Sequence, residues 1–80
     1  MRDFAALAIH PDDEAQNVFV RYKEENLPSL QDFNKWIAEH ESRGCIVAGA
    51  DVPSDCQDET AKLLLMMKAL KNLARVMRAE

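Results

Sequence analysis

Eighty residues make one domain, because a chain this short buries only about 60–65% of its unfolded surface and cannot divide that between two cores. Hydrophobic residues at 48% and charged ones at 30%, with two glycines and three prolines, exclude a disordered or loop-rich chain and fit an ordered, helical one. The net charge of −4 is uneven: thirteen of the fourteen acids and five of the ten bases fall in residues 1–61, so an acidic body argues against nucleic-acid binding while a basic tail keeps it as an alternative.

Residues 1–11 carry an acid at position 3 and only a short apolar run. They read as neither a signal peptide nor a membrane span, and the expected location is cytoplasmic, with Cys45 and Cys56 kept as thiols. In "DFAALAI", Phe4, Leu7 and Ala8 stand at helical spacing, a short strand being the other reading of so brief a run. Pro11 ends it. Residues 11–26, "PDDEAQNVFVRYKEEN", place Ala15, Val18, Phe19 and Tyr22 at i, i+3, i+4 and i+7, which predicts a helix of roughly four turns.

In "LPSLQDFNKWIAEHESRG", Ser29 is a helix cap with Asp32 three residues on. Leu30, Phe33 and Ile37, with Trp36 beside them, form its expected buried face, and Gly44 is a left-handed stop. "CIVAGADVP" then reads as a connector, extended at Cys45, Ile46 and Val47, able to pair with residues 4–9 only as a very small sheet.

The last segment opens with Ser54 and Gln57 in a capping box. Asp55, Asp58 and Glu59 sit at the positive end of the helix dipole and Lys68 to Arg78 toward the negative end. About 24 residues give roughly 36 Å of helix. Its "LLLMM", residues 63–67, goes right round the helix at 100° per residue, so this portion is expected to be enclosed on all sides, by the earlier helices or by a second subunit, as the core. Farther on, Leu70, Leu73, Ala74 and Met77 make a narrower stripe, with Lys68, Lys71, Arg75 and Arg78 on the other face. The expected architecture is an all-α bundle of three main helices plus a short N-terminal segment, with a homodimer seam at Leu70, Leu73, Ala74 and Met77.

One motif suggests chemistry. His10-Pro11-Asp12-Asp13-Glu14, after the apolar residues 5–9, resembles the first motif of the LmbE/PIG-L family of zinc-dependent N-acetylglucosaminyl deacetylases, in which a strand delivers His-Pro-Asp-Asp to the metal. That resemblance implies His10 and Asp13 as ligands and Asp12 as general base of a metal-dependent hydrolase. The chain departs from the family in two ways: "QNVFVRYK" stands where a glycine-rich turn belongs, and no His-x-x-His follows, the other histidine being His40 in "EHES". The family's fold is also far larger than this chain. Without the likeness, proline at a first helical position and acids in a first turn make the stretch a helix start.

Other constellations are incomplete. Cys45 and Cys56 lack two further zinc ligands at a recognisable spacing, and Cys56 has no histidine near it in sequence to activate it. "RYKEENLPSLQDFNKWI" has the outline of a helix-turn-helix, but its second helix is acidic where a recognition helix is neutral or basic. No catalytic, metal or cofactor set assembles. The expected function is an acidic protein–protein interaction module, an inhibitor, adaptor or regulatory subunit of the kind encoded by phages, acting on a partner with a basic surface. Asp12, Asp13, Glu14, Trp36, Asp55, Asp58 and Glu59 are its candidate contacts. The alternative is a nucleic-acid-associated regulator using Lys68, Lys71, Arg75 and Arg78.

Overall fold

The structure, a computed structural model, describes residues 2–78, with side chains through residue 71. Strands β1 (Arg2–Ile9) and β2 (Val18–Tyr22) are followed by helix α1 (Leu30–Ser42), strand β3 (Ile46–Pro53) and helix α2 (Asp58–Arg78). The sheet order is β2-β1-β3, and both outer strands run antiparallel to β1. The fold is therefore α+β, which corrects the all-α helical bundle expected from the sequence.

The correction begins with residues 11–26. Instead of a four-turn helix they form single 3-10 turns at Glu14–Gln16 and Glu24–Asn26 with β2 between them. "VFVRY" is β-branched and aromatic, and such side chains fit a pleated surface better than a helix. Its alternation puts Phe19 and Arg21 on one face and Val18, Val20 and Tyr22 on the other. The 3.6-residue spacing of Ala15, Val18, Phe19 and Tyr22 was a coincidence of composition.

Residues 2–9 are also a strand. They pair with β3 along its whole length, from Arg2↔Pro53 to Ile9↔Ile46, so the small pairing weighed as the lesser reading is the one the chain forms, over eight positions. The central strand is covered on both sides. Ala5, Leu7, Ala48 and Val52 pack with Ala61, Leu65 and Ala69 of α2. On the opposite face Phe4 meets Phe33 of α1 edge-on, with ring centroids 5.3 Å apart. Gly49 lies under this ring, where a Cβ would stand 2.9 Å from Phe4 Cζ.

Helix α1 follows its sequence signals: Ser29 Oγ accepts from the Asp32 N–H at 3.1 Å, and Gly44 takes φ +89° beyond the last turn. Its buried face is displaced from expectation, because Leu30 is exposed while Phe33, Trp36 and Ile37 are half-buried and His40 is buried. Helix α2 starts at Asp58, later than the Ser54 box implied. Ser54, Asp55 and Cys56 instead form a turn in which the Cys56 N–H donates to the Pro53 carbonyl.

Arg21 fastens this turn to the sheet. Its Nε donates to Asp3 Oδ2 at 2.8 Å, Nη1 to Asp58 Oδ1 at 3.0 Å, and Nη2 to the carbonyls of Pro53 and Ser54. One guanidinium thus ties β2, β1, the end of β3 and the start of α2, using the planar fork that lysine lacks. The Asp3 hydrogen bond, before any other contact, holds Arg21 above its ordinary pKa. Asp3 is buried, so Arg21 is the cation that permits its carboxylate there.

Truncating fully buried Leu65 to Ala should cost about 3 kcal/mol in urea unfolding, while Leu64→Ala, at a site 52% exposed, should cost less than about 1 kcal/mol. Arg21→Met should lower Tm by several degrees. Combined with Asp3→Asn it should lose less than the two single losses added, as thermal melts of the four proteins in the cycle will show.

Candidate interaction surface

Helix α2 meets the sheet through Ala61, Leu65 and Ala69, spaced i, i+4 and i+8, so one narrow stripe is buried. Two of the three contacts are alanines, facing Ala5 and Ala48. The helix therefore lies close on the sheet. Among the described residues no other element covers its far side, where Leu63 is 62% exposed, Met66 40%, Met67 60% and Leu70 57%, with Leu64 on the flank. The expectation that the earlier helices enclose residues 63–67 as the core is thus corrected: within the chain, Leu65 alone of the five is buried.

The expected seam joins this surface at one residue. Leu70 is exposed and continues the apolar face; the side chains of Leu73, Ala74 and Met77 lie outside the described residues. Next to Leu70 an open groove of about 290 Å³ is lined by Ile9, His10, Pro11, Ile46 and Ala69. It carries the apolar surface around the end of the sheet. A smaller apolar area, Leu27 and Leu30, lies at the start of α1 beside Phe4 and Phe33.

Two of the four residues of the basic stripe have described side chains. Lys68 Nζ donates to the Gly49 carbonyl at 2.7 Å, reaching back to β3, and Lys62 stands 5.2 Å over the Phe19 ring. Lys71 is exposed, and the side chains of Arg75 and Arg78 lie outside the described residues.

The acidic candidates fall at opposite ends of the sheet. Asp12, Asp13 and Glu14 are exposed beyond the Ile9 end of β1, whereas Asp55, Asp58 and Glu59 are exposed beyond the Pro53 end of β3. Asp58 is engaged by Arg21. Trp36 is half-buried, stacked on Phe33 at 5.7 Å and tilted against His40 at 4.6 Å, so most of its ring belongs to the α1 face of the core.

A strand does deliver the His10 motif, as the deacetylase likeness implied, but the residues then serve the turn. His10 Nδ1 accepts from the Asp12 N–H at 3.1 Å, and the His10 N–H donates to Asn17 Oδ1 at 2.7 Å. Asp13 caps the 3-10 turn by accepting from the Ala15 N–H and from Gln16 Nε2. Among the described residues no three of His, Cys, Asp or Glu converge on a point that could hold a metal. His40 is buried with Nδ1 unpartnered, and Cys45 and Cys56 are free thiols. These residues do not fit a catalytic zinc, which needs three protein ligands.

Comparison with family models, with curated proteins and with solved structures finds no match to this chain. Among the described residues no helix is long and apolar enough to cross a membrane. The sequence missed the exposed face of α2 because composition marks "LLLMM" as apolar without saying how much of a helix the rest of the chain can cover. The signal was present in the alanines at 61 and 69, which mark the side of closest approach.

Hydrogen bonds from Gln16 and then from the Ala15 N–H hold the Asp13 carboxyl below its ordinary value of 3.8. Its support of the turn is complete above pH 3.8 and is lost as pH falls through the lowered midpoint. A side-chain NMR titration should place Asp13 below 3.8, and Gln16→Ala should move it back upward.

Proposed function

We propose that the protein is a small interaction module, an inhibitor, adaptor or regulatory subunit rather than an enzyme, which docks on protein through the outer face of α2. One observation carries the reading: Leu63, Met66, Met67 and Leu70 stand 40–62% exposed together on one side of a single helix. Isolated exposed leucines are ordinary; four large apolar side chains in two turns are not. Methionines suit such a surface, because an unbranched thioether adapts to the shape it meets.

The mechanism is the burial of an amphipathic helix face in an apolar groove or against another helix. Asp55 and Glu59 border the face at its N-terminal end and would favour bases on the partner. Asp12, Asp13 and Glu14 stand at the far end of the sheet, so one partner that met both acidic clusters would have to span the length of the domain.

A photo-crosslinking residue placed at Met67 and expressed in the source cell should give discrete protein adducts, while the same residue at Lys35, on the outer side of α1, should give none. Leu63→Asp in the same chain should abolish the adducts. Equal labelling from both positions would overturn the assignment of the surface.

A further inference from the structure

The outer face of α2 carries its own description of what covers it. Leu63, Met66 and Leu70 follow one another at spacings of three and four, and Met67 lies beside them. In sequence the same alternation runs on through Leu73 and Met77, beyond the described side chains. Spacings of three and four mark the seam of two helices packed along their length, where each side chain enters a hole on a matching helix. A groove for a short peptide would need two or three such anchors; four exposed ones over two turns, on a helix of 21 residues, call for a partner helix.

Charge narrows the choice. The start of α2 is acidic, with Asp58 and Glu59 and with Asp55 in the turn before them, whereas all five charged residues from position 62 to 78 are basic. Two such helices side by side and parallel would set acid against acid and base against base. Antiparallel, each acidic start lies level with the basic end of the other, and the helix dipoles also oppose. We infer that the occupant of this face is a second copy of the chain, paired through α2 in antiparallel order about a twofold axis near residues 66 and 67. This inference rests on the docking surface proposed above and names its partner.

About that axis Leu63 of each copy comes opposite Leu70 of the other, and Met66 opposite Met67. The surface is complementary to itself, as a twofold interface requires. Asp58, the first residue of α2, comes level with position 75 of the second copy. Lys62 and Lys68 are turned away from the seam, over Phe19 and on the Gly49 carbonyl, so neither base crowds it. The five exposed side chains from Leu63 to Leu70 offer roughly 500 Å² per copy, or about 1,000 Å² for the pair, the lower limit for a specific interface.

Light scattering on the full chain under reducing conditions, from micromolar to several hundred micromolar, tests the pairing. The expected result is a mass rising to twice 9.1 kDa, with Leu63→Asp and Met67→Asp each weakening the dimer roughly tenfold or more while far-UV circular dichroism stays unchanged. A monomer throughout overturns the second copy; the docking surface then stands if position 67 still crosslinks to another protein, and falls if it does not. A dimer untouched by both substitutions overturns the pairing through α2.

Order is tested by two charge variants, Asp55→Lys with Glu59→Lys and Arg75→Glu with Arg78→Glu, leaving Asp58 to Arg21. Each alone should dimerise less than the natural chain, and an equimolar mixture should form mixed dimers in native mass spectrometry in excess of either self-dimer. A statistical mixture overturns the antiparallel order.

Discussion

Everything about this molecule's surface follows from how α2 lies on the sheet. Three strands offer one face to the helix, and the contact is made by Ala61, Leu65 and Ala69 against Ala5 and Leu7 of β1 and Ala48 and Val52 of β3. Small side chains let helix and sheet approach closely, and close approach narrows the stripe that can be buried. A helix as rich in leucine and methionine as α2 then has more apolar side chains than its own domain can cover. Arg21 fixes the angle at which it starts, by holding Asp3, Asp58 and the Pro53–Ser54 carbonyls at one point. The apolar surplus is therefore presented on a firmly anchored element.

The same geometry explains what could be read from the sequence. The cap and the stop of α1 were legible, though the Ser54 box before α2 was not a cap: Ser29 and Gly44 act as their chemistry requires, because a hydroxyl satisfying a free amide and a residue at positive φ are local matters. Strands were not legible. In β1 Ala5, Ala6, Leu7 and Ala8 are all buried, since the central strand is covered on both faces, and a strand buried on both faces shows no alternation. Its alanines, moreover, favour helices in isolation. The β2 segment does alternate, but Ala15, Val18, Phe19 and Tyr22 coincide with a helical stripe, and nothing within sixteen residues decides between the two periods. The deciding contacts, Phe19 beside Leu7 and Arg21 beside Ala5, are long-range.

The candidate surface was half legible for a related reason. Periodicity marked Leu70, Leu73, Ala74 and Met77 as a stripe for pairing, and Leu70, the one whose side chain is described, is exposed. Residues 63–67 read as interior on the premise that the earlier helices, or a second subunit, enclose them. With a sheet in place of those helices, four of the five turn outward. The fold-class error and the site error are one error. Conversely, the acidic residues singled out for recognition are divided by the topology between the two ends of β1, and Asp58 serves the Arg21 cluster.

The sheet edges decide which surface can mediate association. β3 is an edge strand, and an unprotected edge invites pairing with another chain. Here Lys68 reaches from α2 and places its ammonium on the outward Gly49 carbonyl in the middle of that edge. A strand arriving at β3 would have to displace a charge-assisted hydrogen bond and bury a lysine. The guard comes from the same helix that leaves its apolar face uncovered, one residue beyond Met67. Growth of the sheet at β3 is obstructed while the outer face of α2 is left open, so the same helix closes one route to association and leaves another open.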